Sequence, residues 1–495
     1  NFLKMFFPAG FYYKTFMWPP SFWYKIYEPF IRMAAGFGEA SIKHDKERYE
    51  HKYEYCDLLV TGSGPSGLAS AYAAAKNGAR VILAEDKPRY GGSLLTSDVN
   101  IGNQTGVEWS EKIIAELKSM SNVTVKNRSQ VFGYYDHNML VMSERISDHL
   151  PKTQKYLPKQ RLWYIRANEV LISSGSIERP LVFGNNDTPG VMLSSAAKEY
   201  MKVYGVLVGK KPLIFTNNDS GYETAIEFKK NGVNPLILDT RKEPSSDIIN
   251  EAKNLNIEIK FSHVVVAAKG YKKVKSADIS KISDDKKELS KIVNIECDCI
   301  CVSGFWTPSI HLASQSGNKS EFNEKIDAFI PNKSKQQENT IGSANGKFTL
   351  EETINEAFDK GYEVSNKITE KNNKVSIPTV VEKKSTDHDK FWCVPLPKGK
   401  SYKRFLDFQN DVAVTDIELA LREGFRSIEH VKRYTTLGMA TDQGKTSNLN
   451  GLQLVSDIEN KVVPQVGHTT FRPPYTPVSI GAIVGREVGK HSKPT

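Results

Sequence analysis

The sequence predicts an α/β fold with two Rossmann-like dinucleotide-binding domains, one inserted in the other, and a small C-terminal helical module. Three observations support this prediction. A strand, a glycine-rich turn, a helix and a second strand follow one another from Cys56, and the same order recurs from Leu213. From about residue 405, apolar residues recur at helical spacing. Alternating strands and helices are typical of a doubly wound parallel sheet.

The first pattern is the run CDLLVTGSGPSGLASAYAAAKNGARVILAED, which begins at Cys56. Gly62 permits the tight turn, Gly64 lets backbone approach a diphosphate, and Gly67 lets the helix pack on the sheet. The helix N-terminus presents free N–H groups to phosphates. Glu85 follows the second strand, where a carboxylate accepts hydrogen bonds from a ribose. The order predicts a dinucleotide site; the alternative is a turn that packs without binding a ligand.

Residues 213–241 repeat this pattern without a gap, as LIFTNNDSGYETAIEFKKNGVNPLILDTR. The helix-packing glycine and the acid are retained, whereas side chains replace the two glycines that admit a phosphate. The aligned pairs are Gly67 with Gly221, Glu85 with Asp239, Gly62 with Thr216, and Gly64 with Asn218. We expect this module to keep the fold and to bind nucleotide weakly or not at all. The alternative is that Asn217, Asn218 and Asp219 bind a smaller ligand through their side chains.

Turns of small residues mark where the chain passes between the two modules. The strand ANEVLISSG ends in Ser173-Ser174-Gly175, and a strand expected over Asn294–Val302 ends in Ser303-Gly304. Such turns are small because backbone passes close to a nucleotide. The expected divisions are an aromatic-rich segment (1–50), a nucleotide-binding domain (51–165 and 300–370), a degenerate Rossmann-like domain (166–299), a polar linker (371–400), and a helical module with an extended tail (401–495).

The composition limits the classes of partner that are expected for this chain. It has 495 residues and a net charge of +10. Its lysines are scattered through polar stretches such as 269–291 and 365–390, which favours solvated surface over a nucleic-acid partner. Five cysteines without framework spacing favour a reducing, cytoplasmic setting. Cys297, Cys299 and Cys301 alternate, and three ligands on one strand form a tetrahedral shell poorly. We expect them to be buried apolar side chains, with no metal.

The first thirty residues contain thirteen aromatic side chains. Four prolines and three lysines interrupt the apolar run, so neither a membrane span nor a signal peptide is expected. A segment of this kind is expected to pack across a domain or subunit interface. The chain begins without methionine, which we interpret as an internal piece of a longer protein.

Several longer motifs are more specific than the nucleotide turn. They are YYKTFMWP, GGSLL after the first nucleotide pattern, SGSIERPLVFGNNDTPGVML, FTNNDSGY, LDFQNDV, EHVKRYTTLGMATDQGKTSN and TFRPPYTPV. Their identity and order resemble the alpha subunits of bacterial heterotetrameric sarcosine oxidases, over essentially the whole chain.

The resemblance implies a flavin-dependent enzyme of several subunits. Alpha subunits of this type hold NAD, lie against a beta subunit that carries FAD, and share a covalently tethered FMN at that interface. Gamma and delta subunits complete the heterotetramer. The complex oxidises the N-methyl group of sarcosine, which gives glycine and peroxide, and the one-carbon unit passes to tetrahydrofolate.

The resemblance also implies where the nucleotide is bound. Its adenosine-side contacts fall on Ser66, Glu85, Asp86, Lys87 and Ser93, and others fall near Phe132, Ala344 and Phe348. Asp86 beside Glu85 predicts a preference for NAD over NADP, because a 2′-phosphate would meet two carboxylates. The full expected cofactor-binding set is Gly62, Gly64, Ser66, Gly67, Glu85, Asp86, Lys87, Gly92, Ser93, Phe132, Ser174, Gly175, Ala344 and Phe348.

No catalytic residue is assigned from the sequence. His430 and His468 are candidates for acid–base chemistry, but a lone histidine beside a helix or a proline turn usually has a structural role. Arg472 either faces a flavin phosphate or packs its stem. We expect the oxidation itself to take place on the partner subunit.

The sequence departs from the alpha-subunit pattern in three ways. It lacks the aminomethyltransferase-like domain that binds folate and the small ferredoxin-like N-terminal domain. The segment Asp407–Asp411 has no cysteines where relatives of the helical module hold an iron–sulfur cluster, so no cluster is expected. The alternatives are the alpha subunit of an opine or hydroxyproline dehydrogenase, or a non-catalytic scaffold with structural NAD.

Overall fold

A computed structural model describes residues 16, 18–36, 38, 45, 47–151, 156–369, 371, 373–382 and 387–485. The chain divides into two units, Asn1–Glu47 and Arg48–Thr495. In the first unit, the helical turns Pro20–Phe22 and Trp23–Tyr27 lead into the helix Glu28–Ala34. Much of the aromatic-rich segment lies outside the described residues, so its packing across an interface stays a prediction.

The first module of the second unit is built on a seven-stranded sheet. Its strands, in order, are Val123–Lys126, Val81–Ala84, Tyr49–Thr61, Gln160–Ile172, Met139–Arg145 and Ser129–Tyr135, and Glu338–Thr340 also pairs with Gln160–Ile172. The strands on either side of Tyr49–Thr61 run parallel to it, as a βαβ connection requires.

Apolar side chains cover both faces of this sheet. Leu58 and Val60 lie in one cluster with the helices Pro65–Lys76, Gly106–Ser119 and Leu350–Asn366. Leu59 points the opposite way, into a second cluster. Residues on successive strand positions alternate between faces, so a strand buried on both sides needs a continuous apolar run.

The second module contains a five-stranded parallel sheet. Its strands, in order, are Val191–Leu193, Cys299–Ser303, Pro212–Thr216, Leu236–Asp239 and Glu258–Phe261. The helices Ser194–Tyr204, Ser220–Lys230 and Asp247–Asn254 pack with it. A three-stranded antiparallel sheet of His263–Gly270, Val274–Lys281 and Val293–Glu296 extends this module.

The passages between the two sheets differ from the expected positions. Strand Gln160–Ile172 belongs wholly to the first sheet, so the change of sheet follows residue 172 rather than 165. Strand Cys299–Ser303 belongs to the second sheet, so the return follows residue 303. Long strands that pair over their full length cannot change sheet midway. The division into domains itself stays a prediction.

The expected strand Asn294–Val302 is interrupted. Val293–Glu296 pairs in the antiparallel sheet, and Cys299–Ser303 pairs in the parallel one. Asp298, between them, accepts hydrogen bonds from the backbone N–H groups of Lys210 and Lys211, which turns the chain.

The interruption separates the three alternating cysteines. Cys297 packs in one apolar cluster, while Cys299 and Cys301 pack in another. All three thiols are buried, and burial raises the pKa of Cys297 to about 12. The expectation of buried apolar side chains is confirmed, but the three do not share one strand.

Short elements complete the second unit. Ser176–Glu178 pairs with Trp306–Pro308 between the two modules, and Ser320–Asn323 pairs with Ala328–Pro331. Asn100–Ile101 lies between Gln104–Thr105 and Val380–Val381, so part of the expected linker is a strand. The short helical segments are Gly92–Leu95, His311–Gln315 and Gly342–Asn345. No helix in the described part of the chain is long and apolar enough to cross a membrane.

The C-terminal part forms the expected helical module. After the paired strands Phe405–Asp407 and Val412–Ala413, its helices are Val414–Arg422, Ile428–Thr435, Asn448–Glu459 and Val463–Val466. The tail is not extended throughout, because it contains the helix Ile480–Val484, which packs on the strand Tyr49–Thr61 of the first sheet. Ile417, Val431 and Leu452 share one apolar cluster with Phe305 and Phe348. The module therefore shares its core with the segments that return to the first sheet.

Ion pairs connect the first module to the helices of the second. The Lys87 ammonium lies 2.7 Å from the Glu199 carboxylate, and Asp98 pairs with both Lys202 and Lys230. The two lysines hold the pKa of Asp98 at about 2, below its usual range, despite the opposing effect of burial.

Candidate functional site

The turn after the first strand leaves open space beside Gly64, at the position where the sequence predicts a diphosphate. Gly62 has φ 101°, and a Cβ on Gly67 would overlap the carbonyl oxygen of Gly62. A Cβ on Gly64, in contrast, would meet no atom within 4 Å. The helix starting at Pro65 has no side-chain cap. Its first N–H groups therefore face this space and suit an anion.

Glu85 is fixed at the end of the second strand. One carboxylate oxygen accepts hydrogen bonds from the Ser63 N–H (2.8 Å) and hydroxyl (2.6 Å). The other accepts from the Lys87 N–H at 2.8 Å. The carboxylate is 8% exposed and keeps lone pairs for further donors. It is therefore positioned to accept hydrogen bonds from sugar hydroxyls.

A second segment, Gly342–Asn345, is distant in sequence and packs against the glycine turn of the first module at Ser66. A Cβ on Gly342, where φ is 68°, would lie 2.6 Å from the Ser66 hydroxyl oxygen. Glu356 accepts hydrogen bonds from the Gly342 N–H (2.7 Å) and the Asn345 side chain (2.8 Å). Ala344 is thereby held near Ser66. The ring of Phe348 instead packs against Phe305, with centroids 5.3 Å apart.

Four more of the residues predicted to bind the cofactor, Gly92, Ser93, Phe132 and Asp86, lie around the glycine turn and the strand end at Glu85. Gly92 packs so closely that its Cβ would lie 2.7 Å from the Gly64 Cα, and Ser93 follows it on the surface. Phe132 is buried on the strand Ser129–Tyr135, whose first N–H bonds to the carbonyl of Glu85 at 2.7 Å. Asp86 is exposed, and its carbonyl accepts from Arg145 at 2.8 Å.

Ser174 and Gly175 lie at the return to the second module. The Ser174 hydroxyl donates to the Ser309 carbonyl at 2.8 Å, and the Ser309 N–H donates to Gly175 at 3.0 Å. The structure therefore places these two residues where the connecting strands meet. Sequence reasoning missed Ser63 and Glu356, whereas the small-residue turn IGSANG, which contains Gly342 and the expected residue Ala344, indicates an approach to the nucleotide.

In the corresponding turn of the second module, the side chains accept hydrogen bonds from the backbone N–H groups of the turn itself. The Thr216 hydroxyl accepts from the Asn218 N–H at 3.1 Å, and the Asn218 side chain accepts from the Ser220 N–H at 2.8 Å. Gly221 is retained because its Cβ would lie 2.6 Å from that of Thr216. The turn therefore keeps its packing, but the N–H groups of Asn218 and Ser220 already donate to side chains of the turn and are not free for a phosphate.

A small cavity separates the connecting strands from the helical module. It measures about 50 Å³, and its polar lining residues are Thr307, His311, Lys445, Asn448, His468 and Thr469. The His311 ring is buried beside this cavity and lies 4.0 Å from the ring of Phe471. Burial lowers the pKa of Lys445, whose ammonium donates to the Tyr475 carbonyl at 3.1 Å.

The buried His311 predicts a loss of stability in acid. Burial, with Lys445 nearby, lowers its pKa to about 3, while the unfolded value is about 6.5. The unfolded chain therefore takes up the proton first as the pH falls below about 6.5, and the native state loses about 2–3 kcal/mol by pH ~4.5. His311→Phe should lose less thermal stability between these pH values than the wild type. Equal losses would contradict this assignment.

The two histidines that the sequence offers for acid–base chemistry, His468 and His430, lie in surroundings typical of structural or surface residues. His468 contacts the Thr469 carbonyl through Nδ1 at 3.1 Å and packs on Phe329, and His430 is exposed. The Asp407 carboxylate accepts hydrogen bonds from the backbone N–H groups of Gln409, Asn410 and Gly438. It therefore joins the turn after Phe405–Asp407 to the turn at Gly438. Within the described ranges, no group of His, Cys, Asp and Glu side chains fits a metal ion.

Comparison with known proteins defines the class. Residues 56–330 match the pyridine nucleotide-disulphide oxidoreductase family, so the chain belongs to that family of oxidoreductases. Residues 401–486 match the sarcosine oxidase A3 domain. The L-proline dehydrogenase of P. horikoshii shares the fold, with TM-score 0.59 and 19% identity over 90% of this chain and 82% of that one.

Two curated relatives confirm the resemblance to sarcosine oxidase alpha subunits. The chain is 39% identical over 494 residues to sarcosine oxidase subunit alpha of Rhizobium meliloti (strain 1021), which covers 99% of this chain. It is 32% identical over 466 residues, 92% of its length, to that of Corynebacterium sp. (strain P-1). The chain spans about half, 48%, of either relative.

Proposed function

We propose that this chain is the NAD-holding alpha subunit of a cytoplasmic, flavin-dependent sarcosine oxidase. It assembles with beta, gamma and delta subunits, and it forms part of an FMN site shared with a beta subunit that carries FAD. The complex converts sarcosine to glycine with peroxide, and the one-carbon unit is transferred to tetrahydrofolate. The relatives and the A3-domain match support this assignment.

The observation that carries the proposal is the pairing of an open glycine turn with a fixed carboxylate. The uncapped helix start at Pro65 offers N–H groups to a diphosphate, and Glu85 offers acceptors to a ribose. These residues bind and orient the nucleotide, and Gly342–Asn345 closes the site over Ser66. When bound, NAD supplies a hydride acceptor at its nicotinamide ring.

Cofactor analysis of the purified complex tests the proposal directly. Denaturation followed by mass spectrometry should release one NAD per chain, with FMN and FAD retained in the complete complex. In calorimetric titration of the NAD-depleted complex, NADP should bind more weakly than NAD, because Glu85 and Asp86 oppose a 2′-phosphate. Release of FAD from this chain, or tighter binding of NADP, would refute the assignment. Appearance of nicotinamide absorbance with sarcosine would show that the NAD turns over rather than serving a structural role.

Three cations on the helical module are proposed to hold the flavin phosphate. Burial lowers the pKa of Lys432, and the nearby positive charges of Arg472 and Arg433 lower it further, which supports a cluster of the three cations. Within the described residues none of the three forms an ion pair, although Glu429 lies near Lys432. Clustered cations at a surface are a favourable place for a phosphate.

Removing two of these charges should lower the FMN content. We expect Lys432→Ala/Arg472→Ala to weaken FMN binding before the covalent tether forms about 10-fold or more, and so to lower the FMN incorporated into the complex, since each charged hydrogen bond contributes about 1.5–3 kcal/mol. The NAD content should stay unchanged. Lys461→Ala, an exposed lysine of the same module, is the matched control. Full FMN occupancy in the double variant would exclude the cluster as the phosphate site.

A further inference from the structure

We infer that residues 387–391 permanently occupy the nucleotide crevice of the second module, with the Asp389 carboxylate in the place of a ligand's negative charge. In a module of this type, the crevice lies at the carboxyl ends of the parallel strands. Here those ends belong to Pro212–Thr216 and Leu236–Asp239. The inference concerns the second module alone and does not depend on which cofactor the first one holds.

The segment pairs with the residues that follow the first of these strands. The Asp389 N–H donates to the Asn217 carbonyl at 2.9 Å, and the Asn217 side chain donates to the Asp389 carbonyl at 2.8 Å. His388 forms a β-bridge with Asn218. Both asparagines are buried, at 2% and 1% exposure. The backbone of the segment therefore covers the position where a diphosphate would approach the turn.

The Asp389 carboxylate lies at the end of the neighbouring strand. It accepts a hydrogen bond from the Thr240 hydroxyl at 2.9 Å and pairs with the Lys286 ammonium at 2.9 Å. Lys286 also donates to the Thr240 carbonyl. A hydroxyl and a cation at this strand end form an anion site, and a residue of the same chain fills it.

The acid equivalent to Glu85 has no capacity left for a ribose. Asp239 accepts from the Tyr222 hydroxyl at 2.7 Å and from the Arg241 guanidinium at 2.9 Å. Arg241 is 7% exposed and also lies 2.8 Å from Asp219. In the first module, the partners of the corresponding acid are backbone N–H groups and one hydroxyl. The buried ion pair replaces the sugar site.

The downstream residues hold the segment in place. Phe391 and Val394 are buried in the core of the second module. The Val394 N–H donates to Val182 at 2.8 Å, and the Val182 N–H donates to the Trp392 carbonyl at 2.8 Å. The His388 ring stacks on Phe305 with centroids 3.9 Å apart. The segment is thus part of the fold, and of the two nucleotide-type turns among the described residues, it covers the second and leaves the first open.

Two sets of variants test whether nucleotide binding to the second module is blocked by residues 387–391 or by the side chains of the turn. Thr216→Gly/Asn218→Gly restores the glycines of a nucleotide turn and leaves the segment intact. Adding Asp389→Ala also removes the anchor. NAD, ADP and pyrophosphate binding to the purified complex is counted by calorimetry, and hydrogen exchange is followed over residues 387–394. Asp387→Ala is the matched control, because its carboxylate is largely exposed and lies 3.5 Å from Arg241.

The glycine pair alone should bind no additional nucleotide. The triple variant should exchange faster over 387–391, about 10-fold or more because a charged hydrogen bond is lost, and in the same calorimetry it should bind one pyrophosphate that the wild type does not bind, since the Asp239–Arg241 pair still closes the sugar site. A second nucleotide on the glycine pair would overturn the inference. So would unchanged exchange in the triple variant, or faster exchange without bound pyrophosphate. If the triple variant does not fold, Asp389→Asn in the same background keeps the shape and removes the charge. A change of NAD content in the first module would instead concern the proposed function.

Discussion

Replacing Glu85 with alanine should lower the affinity for NAD about 100-fold. The carboxylate is buried and rigidly held by Ser63 and Lys87, so it meets the ribose without further ordering. Loss of two hydrogen bonds to a charged acceptor, at about 1.5–3 kcal/mol each, corresponds to roughly that factor. Titration of the NAD-depleted complex measures it, and the NAD retained through purification gives a second readout.

Asp86→Ala is the matched control for this substitution. Its carboxylate is half exposed and lies 3.6 Å from Arg145, so its removal should change the affinity less than about 5-fold. Glu85→Gln should fall between the two, because one acceptor oxygen remains. Equal losses for Glu85→Ala and Asp86→Ala would show that neither carboxylate specifically positions the sugar.

Gly67→Ala should be the most destabilising single substitution in the nucleotide turn. Its Cβ would overlap the Gly62 carbonyl oxygen and lie 2.7 Å from the Ser173 hydroxyl oxygen. The carbonyl belongs to backbone, which cannot rotate away as a side chain can. We expect a loss of about 3 kcal/mol, the upper range of overpacking costs. Thermal unfolding of the purified chain with its partners measures it.

Gly64→Ala separates folding from binding at the same turn. Its backbone, at φ −67° and ψ −175°, suits any residue, and its Cβ would meet no atom. The variant should therefore unfold at the wild-type temperature. NAD affinity should nevertheless fall about 10-fold or more, because the methyl group enters the space proposed for the diphosphate. Undiminished binding would place the diphosphate elsewhere.

Local patterns account for the parts that the sequence predicted well. Local signals mark the ends of two helices: the glycine turn precedes Pro65–Lys76, and Gly205, in the left-handed region, follows Ser194–Tyr204. Gly62, Gly67 and Glu85 come together because a strand, a helix and the next strand form one βαβ unit. No long-range contact is needed to infer that geometry.

Long-range contacts account for what was missed. The hydrogen bonds by which Glu356 holds Gly342 and Asn345 are not marked by any periodicity of the sequence. Residues 387–391 read as polar linker, since lysine, histidine and aspartate are common in exposed loops. Their position against the second sheet depends on Asn217 and Thr240, which become acceptor and donor only after that sheet has formed.

The ion pairs of Lys87 and Asp98, which lie at or near the surface, connect the two modules. Lys87 donates its N–H to Glu85, the acid proposed to hold the ribose, and its ammonium pairs with Glu199, so one residue links the proposed nucleotide site to the second module. Exposed pairs contribute at most about 1 kcal/mol and weaken as ionic strength rises. The angle between the two sheets should therefore respond to salt, and nucleotide loading should restrict that freedom by a correspondingly small amount.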